Sequence, residues 1–262
     1  MHLDGSKILL TGASSGIGEA LAPMLAARGA TLGLVARRAD RLEATLARVR
    51  EHSPSSRAWP VDLSDLDAAE QVVRDAWAEL GHLDGLINNA AMGKRKHLLD
   101  LNTADLDEVM HLNFTSPIRM AMVAIERMVA RGSGLVVNVG SPGGRFGIVH
   151  ESSYCAAKFA MSGWSEAAAM DLAERETGVE IKLVLPGAIK TEIWEQKPGD
   201  LPGIFDGPWT SAEDCAAGIV ECLEAPGFEH YVPDMKDIVV GKTADPEGFI
   251  AMMAAVARDA HS

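Results

Sequence analysis

Short apolar runs alternate with longer amphipathic stretches along most of the chain, and this alternation limits the possible folds more than any other feature. Six such runs recur in order: KILLTG, TLGLVA, RAWPVDLSD, LDGLINNAA, GLVVNVGS and VEIKLVLPG. Because strands that alternate with helices pair in parallel and are covered on both faces, the pattern predicts an α/β fold with one doubly wound parallel sheet. No repeat, low-complexity tract or linker divides the sequence, so residues 1–262 are expected to form a single domain.

Local patterns support this alternation at the starts of two helices. Ser64 with Asp67, and Asp40 with Glu43, have the spacing of capping boxes and precede helical periodicity. Pro23 falls inside the first helical stretch, where proline removes one backbone hydrogen bond, so we expect a kink there.

The charge of the chain narrows the class of partner. The sequence has 24 basic and 37 acidic residues, a formal net charge of -13 and a pI of about 5.0. A strongly acidic chain is a poor match for nucleic acid or an anionic membrane, so neither is an expected partner. No apolar run is long enough to span a bilayer, and MHLDGSKILLTG lacks the pattern of a signal peptide. We therefore expect a small-molecule partner and a cytoplasmic protein.

The three cysteines are Cys155, Cys215 and Cys222. Their odd number and irregular spacing provide neither a disulfide framework nor a zinc pattern, so no metal site is predicted. Cys215 and Cys222 lie seven residues apart and share a helix face, which favours a role as small apolar core side chains. Free thiols are compatible with the reducing cytosol.

A glycine-rich segment, TGASSGIG, follows the first apolar run. Gly12 allows a tight turn, while Gly16 and Gly18 let the backbone approach a pyrophosphate and let a helix pack on a strand. The free N–H groups at the start of the next helix would then face the phosphates. The glycines alone are also compatible with a strand-to-helix turn that binds nothing, but their place after the first strand favours a dinucleotide site.

Six motifs together resemble the short-chain dehydrogenase/reductase family: TGASSGIG, NNAA, an asparagine at 113, a serine at 141, YCAAK and PGAIKTE. They occur in the family's order over about residues 5–192. The resemblance implies a Rossmann-type fold, a nicotinamide cofactor and a homo-oligomer, tetramer or dimer, built by pairing long helices. The cofactor-binding residues that it implies are Gly12, Ser14, Ser15, Gly16, Ile17, Gly18, Asp62, Leu63, Asn89, Ala90, Tyr154, Lys158, Pro186, Gly187, Ile189 and Thr191.

The end of the second strand indicates which nicotinamide is preferred. Ala36 stands where NAD-binding members carry an acid for the ribose 2′-OH, and Arg37 and Arg38 follow it. Guanidinium groups suit a 2′-phosphate because they form paired charge-assisted hydrogen bonds. Asp40 could replace the missing acid, but its spacing from Glu43 favours a helix cap. The sequence therefore favours NADP(H), with NAD(H) still possible, while a solvated turn is the alternative for the arginines.

Tyr154 and Lys158 are spaced four apart, which places them on one face of a helix. A phenol has a pKa of about 10, and a neighbouring ammonium would lower the pKa toward the range in which a general acid/base works well. The pair alone is more typical of a half-buried tyrosine above a surface lysine. Ser141, thirteen residues earlier at the end of a strand, favours the catalytic interpretation over this one.

The family resemblance assigns roles to four predicted catalytic residues. Ser141 polarises a substrate carbonyl, Tyr154 gives or takes its proton, and NADP(H) carries the hydride. Lys158 lowers the pKa of the phenol and holds the nicotinamide ribose. Asn113 holds a water that links the lysine to solvent, although a structural polar residue in a helix fits Asn113 equally well.

Residues 192–210 are rich in glycine and proline and form a connection of the length that is usually functional. The resemblance implies a substrate lid here, and its aromatic residues favour an apolar substrate body. Rings that dock onto the core are the alternative. The predicted substrate contacts are Met92, Pro142, Trp194, Phe205 and Trp209.

Two further segments have less specific patterns. Lys94, Arg95 and Lys96 could attract an acidic substrate, although a solvated loop is the more common use of such a run. Residues 246–260 form a predicted C-terminal helix with a methionine-rich face that would cover the lid or a sister subunit.

The motifs favour an NADP-dependent carbonyl reductase or alcohol dehydrogenase. An NAD-dependent alcohol dehydrogenase and a non-catalytic NADP-sensing protein on the same fold remain alternatives, because a fold does not fix a function. A scaffold protein leaves the glycine loop and the tyrosine–lysine pair unexplained. A dehydratase or epimerase generally needs extra acids or a longer chain.

Overall fold

The computed structural model describes residues 1–195, 199–201, 203 and 207–260. The described residues form one parallel sheet, and its strands are β1 (Lys7–Thr11), β2 (Thr31–Ala36), β3 (Arg57–Pro60), β4 (Gly85–Asn88), β5 (Gly134–Val139), β6 (Val179–Pro186) and β7 (Glu229–Val232). They lie side by side in the order β3-β2-β1-β4-β5-β6-β7. This arrangement confirms the predicted single-domain, doubly wound α/β fold.

Helices follow the strands and cover both faces of the sheet. They are α1 (Gly16–Ala27), α2 (Ala39–Arg50), α3 (Leu66–Leu80), α4 (Thr103–Met110), α5 (Ser116–Arg131), α6 (Ser152–Glu174), α7 (Ala212–Glu224), α8 (Lys236–Ala244) and α9 (Pro246–Ala260). A π-helical turn, His111–Thr115, joins α4 to α5, and short 3-10 turns follow β5 and β6.

The alternating side chains of the strands build a separate apolar core on each face. In β1, Ile8 and Leu10 point into the core under α1, α2 and α7, while Leu9 points into the core under α3 and α5. All three are completely buried. Near-continuous apolar strands are needed because a parallel sheet covered on both faces leaves no side of a strand in water.

Two local expectations differ from the structure. The helix cap of α3 is Asp65, whose carboxylate accepts from the backbone N–H groups two and three residues on, and Ser64 instead donates to Asp62. α2 begins after Arg38 and has no side-chain cap, so Asp40 lies within its first turn and is not the cap. α1 continues from Gly16 to Ala27 through Pro23.

The seventh strand was not among the predicted ones. β7 has the sequence EHYV, in which two of four residues are polar, and only Val232 is buried. It pairs with β6 at the edge of the sheet, where one side of a strand needs no partner. A short half-polar strand lacks the apolar pattern by which the other six are predicted.

A buried lysine fixes α7 to the sheet. Lys182 on β6 is 2% exposed, and its Nζ donates to the carbonyl oxygens of Cys222, at 2.9 Å, Leu223, at 3.1 Å, and Ala225. These carbonyls belong to the end of a helix, where four such groups lack intrahelical donors and the dipole favours a cation. The ammonium therefore satisfies the end of α7 and compensates for its own burial.

Replacing this lysine should destabilise the protein measurably. Lys182→Met keeps the length of the side chain but removes the donor from buried carbonyls, so the free energy of unfolding should fall by about 2 kcal/mol. Urea unfolding followed by circular dichroism measures this difference. Lys190→Met, at an exposed lysine just beyond the same strand, is the control, and equal stability of the two variants would contradict the capping role.

Candidate active site

The strand order reverses between β1 and β4, and a cleft opens where the carboxyl ends of the central strands meet. The cleft has a volume of about 1260 Å³ and extends from the glycine-rich loop to α9. Predicted cofactor and catalytic residues that line it are Gly12, Ser14, Ser15, Gly16, Ile17, Arg37, Arg38, Asp62, Leu63, Asn89, Ala90, Ser141, Tyr154, Lys158, Pro186, Gly187, Ile189 and Thr191. The structure therefore brings most of the motifs, from six strand ends, into one site.

The glycine-rich loop packs so closely that side chains are excluded. Gly12 has a φ of 70°, and a Cβ there would lie 2.7 Å from the amide nitrogen of Asn89. A Cβ on the buried Gly18 would collide with the carbonyl oxygen of Gly12. Ser15 caps α1 without a side-chain hydrogen bond, which leaves the first N–H groups of the helix available to an anion. The cradle fits the pyrophosphate of a dinucleotide.

Three arginines gather at the end of β2, and two acids already pair with them. Arg38 pairs with Glu192 at 2.7 Å, and Arg41 pairs with the other oxygen of the same carboxylate. Arg37 lies 3.6 Å from Asp62, whose carboxylate also accepts from the Ser64 backbone N–H. Hydrogen bonding by Arg38 lowers the pKa of Glu192, so the carboxylate is ionised near neutrality.

Tyr154, Ser141 and Lys158 meet on the opposite side of the cleft. Ser141 follows β5, and its hydroxyl accepts from the Gly143 N–H at 3.1 Å. Tyr154 is half-buried and Lys158 is 1% exposed, and both lie on α6. The Lys158 Nζ donates to the carbonyl oxygen of Val139 at 2.9 Å and lies 5.7 Å from the centroid of the Tyr154 ring.

The electrostatics differ from the expectation that the lysine lowers the pKa of the phenol. Burial raises the pKa of Tyr154 above its ordinary value, and the group whose hydrogen bond opposes this rise is Ser141. Lys158 donates to a backbone carbonyl instead, and burial lowers its own pKa to about 8. The tyrosine is therefore protonated at neutral pH, as a proton donor must be.

Asn113 lies in the π-helical turn and is completely buried. Its side-chain oxygen accepts from the Met92 N–H at 2.8 Å, and its amide nitrogen donates to the Met92 carbonyl at 2.8 Å. The asparagine thus fixes the backbone that follows β4, and Met92 itself lines the cleft. π-Helical turns are rare and are frequent at functional sites.

The basic run after β4 is not a solvated loop, because its side chains are paired within the chain. Lys94 pairs with Asp105 at 2.7 Å and also with Glu108, and Lys96 pairs with Asp105 at 2.6 Å. These lysines hold the pKa of the Asp105 carboxyl far below its usual range. Arg95, between them, is 3% exposed.

Arg95 anchors the segment that follows β6. Its guanidinium donates to the carbonyl oxygens of Ile193, Trp194, Glu195 and Leu201, at 3.0 to 3.2 Å. It also lies 5.7 Å from the ring centroid of Trp194, within the range of a cation–π contact. The backbone N–H of Leu201 returns a hydrogen bond to the Arg95 carbonyl at 2.7 Å.

The predicted substrate contacts fall in different places. Met92, Pro142 and Trp194 line the cleft. Trp209 packs edge-on against Trp194, with 4.9 Å between their ring centroids, so it supports the wall. Phe205 lies outside the described residues.

The far end of the cleft is formed by α8 and α9. The sequence predicted that the methionine-rich face of α9 covers the lid or a sister subunit, while no sequence pattern connected α8 with the site. Ile238 on α8 and Met252, Met253 and Val256 on α9 line the cleft. Phe249 on α9 stacks on Phe146 with 5.5 Å between ring centroids. An apolar surface therefore faces the catalytic side chains.

Three charged residues of the site were also missed: Arg41, Glu192 and Glu151. Glu192 is the last residue of the PGAIKTE motif, and Arg41 lies one helical turn beyond Arg37 and Arg38. Their closeness to these motifs was the only, weak, sequence signal for a place in the site. Glu151 is 6% exposed and lines the cleft three residues before Tyr154. Nothing in its local sequence distinguishes it from a surface acid.

Comparisons with known proteins agree with this geometry. The family model for short chain dehydrogenase matches residues 6–201. Nodulation protein G of Rhizobium sp. (strain N33) is 34% identical over 74% of this chain and 78% of the relative, and levodione reductase of Leifsonia aquatica is 35% identical over 72% and 71%. A short-chain dehydrogenase from Sphingobium yanoikuyae in complex with NADPH is 28% identical, with a TM-score of 0.80 over 94% of this chain and 95% of that chain.

Neither a membrane-spanning helix nor a cluster of metal ligands occurs among the described residues. In the part of the chain that the structure describes, no helix is both long and apolar enough to cross a membrane. The same residues contain no group of three or more histidine, cysteine, aspartate or glutamate side chains placed to hold a metal ion.

Removing the Arg95 guanidinium should loosen the segment after β6. Arg95→Met leaves four carbonyl oxygens without their donor, so hydrogen exchange at the amides of Trp194 and Glu195 should accelerate about tenfold or more. Exchange measured by mass spectrometry tests this. Lys94→Met removes a neighbouring cation that contacts Asp105 and Glu108 instead, and an equal acceleration there would contradict the anchoring role.

Proposed function

Because the chain belongs to the short-chain dehydrogenase/reductase family, we propose that it is an NADP(H)-dependent oxidoreductase that reduces a carbonyl to an alcohol, or catalyses the reverse. The observation that carries this proposal is the meeting of Tyr154, Ser141 and Lys158 in the same cleft as the glycine-rich loop. A cofactor cradle alone would serve a binding protein. A protonated phenol next to a hydroxyl in that cradle gives the site its acid/base chemistry.

The protein residues perform the proton chemistry. The Ser141 hydroxyl donates a hydrogen bond to the carbonyl oxygen of the substrate, and Tyr154 transfers its hydroxyl proton to that oxygen. A bound nicotinamide would supply the hydride, and the glycine loop and arginines are the residues that would hold the dinucleotide. Burial keeps Tyr154 protonated until it reacts, which suits the direction of reduction.

Lys158 and Asn113 have supporting roles in this proposal. With its pKa lowered to about 8, Lys158 stays largely cationic at neutral pH and can bind the ribose hydroxyls of the nicotinamide. Its bond to Val139 fixes the ammonium at the end of β5. Asn113 holds Met92 in place and, as in the family, would keep a water between the lysine and solvent.

The arginines support a preference for NADP(H). Arg37 and Arg38 line the cleft at the end of β2, Arg41 shares Glu192 with Arg38, and no acid occupies position 36. The relative from Sphingobium yanoikuyae was solved with NADPH. Glu192 already pairs with Arg38 and Arg41, so a 2′-phosphate has to exchange with this carboxylate.

We further propose a cytoplasmic homo-oligomer, a tetramer or a dimer. The three cysteines are free and buried, as expected in a reducing compartment. Apolar side chains are exposed on the two long helices α5 and α6: Met122, Val129, Phe159 and Met170. Apolar side chains that long helices expose can pack against a second subunit.

Substitution of the catalytic tyrosine should separate chemistry from binding. Tyr154→Phe removes the proton donor and should reduce turnover at least about 100-fold, while the affinity for NADPH stays close to that of the wild type. Oxidation of NADPH, followed by absorbance across a panel of carbonyl compounds, measures the rate. Fluorescence titration measures the affinity.

The chain has one other tyrosine, which provides the control. Tyr231 donates to Glu229 at 2.6 Å, away from the cleft, so Tyr231→Phe should leave the rate unchanged. Full activity of Tyr154→Phe would reject the proton-donor role. A wild-type protein that binds NADPH but turns over no compound of the panel would favour the NADP-sensing alternative.

Glu192 should weaken the binding of NADPH. Glu192→Gln removes the anion that competes for two arginines, so the Kd for NADPH should fall about threefold to tenfold while the Kd for NADH changes little. Arg38→Ala should have the opposite effect on NADPH. Glu195→Gln, an exposed acid of the same segment, is the control, and an NADPH/NADH ratio that none of these variants alters would contradict the NADP assignment.

A further inference from the structure

Glu151 is a buried acid inside the catalytic cleft. It is 6% exposed, lines the cleft and precedes α6 directly, three residues before Tyr154. The two side chains are close enough for the charge of Glu151 to raise the pKa of the phenol. A carboxylate at this place therefore faces the same space as the proton donor.

This carboxyl group has no structural task among the described residues. Glu151 is the N-cap of α6, yet its side chain makes no capping hydrogen bond. Neither of its two oxygens forms a hydrogen bond or an ion pair with any of the described residues. Arg95 is the nearest cation in electrostatic terms, but its donors go to the backbone carbonyls of the segment after β6. Buried polar groups are normally hydrogen-bonded, so an unpartnered one that faces a cleft indicates a ligand.

The surroundings of Glu151 bring the pKa of its carboxyl close to neutral pH. Burial raises the pKa of the carboxyl to about 7, with the charge of Arg95 lowering it and that of Asp200 raising it. The side chain is therefore present both as the protonated acid and as the carboxylate. The acid can donate a hydrogen bond, and the carboxylate can accept one. A neutral hydroxyl group, which also donates and accepts, matches both forms.

Apolar side chains line the cleft next to Glu151, alongside the charged Arg95 and Asp200. Phe146, Ile148 and Val149 line it beside Glu151, and α9 covers the opposite side with Phe249 and Met253. In such a site, a small number of polar groups fix the orientation of a ligand and supply its specificity. The contrast between the Glu151 carboxyl and the apolar side chains around it favours a substrate with an apolar body and a polar substituent near the reacting carbon.

We propose that Glu151 is a substrate-recognition residue that hydrogen-bonds a hydroxyl group next to the reacting carbonyl. The substrate class is then a hydroxy ketone with an apolar body, and the product is the corresponding diol. This inference rests on the proposed oxidoreductase function, because it places the reacting carbonyl at Tyr154 and Ser141.

A matched pair of substrates tests the inference. 2-Hydroxyacetophenone and acetophenone share the apolar ring and the carbonyl and differ by one hydroxyl. The wild-type protein should favour the hydroxy ketone at least about tenfold in kcat/KM, and Glu151→Leu should remove most of this ratio. Glu151→Gln, which retains hydrogen-bonding capacity at nearly the same size, should keep an intermediate ratio. Thermal unfolding of each variant shows that it is folded.

A control variant and a binding measurement separate the two levels of the proposal. Glu108 also lines the cleft but already pairs with Lys94, so Glu108→Gln should leave the ratio unchanged. Calorimetry with 1-phenyl-1,2-ethanediol and 1-phenylethanol, in the presence of the oxidised coenzyme, measures the same preference without turnover. If the wild-type protein shows the binding preference but turns over neither ketone, the oxidoreductase function is overturned and the role of Glu151 is not. A wild-type preference below about threefold, or one that Glu151→Leu leaves unaltered, would overturn the role of Glu151.

Discussion

The reversal of strand order between β1 and β4 is the constraint on which the site depends. Helices that follow β1 and β4 leave toward opposite faces of the sheet, so no helix covers the gap between the carboxyl ends of these strands. Residues that line the cleft follow the carboxyl ends of the central strands: Gly12 after β1, Asn89 after β4, Ser141 after β5 and Gly187 after β6. The cleft is therefore built from residues just beyond the strand ends, while the strands themselves build the two cores.

A buried chain of polar side chains sets the position of α6 relative to the sheet. Asn88 on β4 donates to Asn138 on β5 at 2.9 Å, and Asn138 donates to Ser165 on α6 at 2.8 Å. A buried donor or acceptor without its partner is costly, so α6 cannot slide along β5 without losing these bonds. Because Lys158 also donates to the end of β5, the helix presents Tyr154 at a fixed height above the cleft.

Local motifs were predictable from the sequence, and long-range contacts were not. The strands, the glycine loop and the tyrosine–lysine spacing are encoded within short windows, and the structure places them as expected. Arg95 is hydrogen-bonded to carbonyl groups about a hundred residues away, and any residue type provides a carbonyl, so the sequence contains no signal for this contact. Glu192 and Glu151 acquire their environment in the same way, from segments that only the fold brings together.

At the cofactor end of the cleft, acids already pair with the arginines, in a chain with a net charge of -13. Arg38 and Arg41 share Glu192, and Arg37 faces Asp62, so two carboxylates offset two of the three positive charges. If the protein binds NADP(H) as proposed, the 2′-phosphate has to compete with Glu192 for Arg38 and Arg41. Exposed ion pairs of this kind are individually weak. In the proposed function, the selectivity between coenzymes would therefore depend on the small difference between the arginine–carboxylate and the arginine–phosphate pairing. Glu192 also belongs to the short turn that contains Trp194, at the substrate end of the cleft. A movement of Glu192 on cofactor binding would therefore also move the wall of the substrate site.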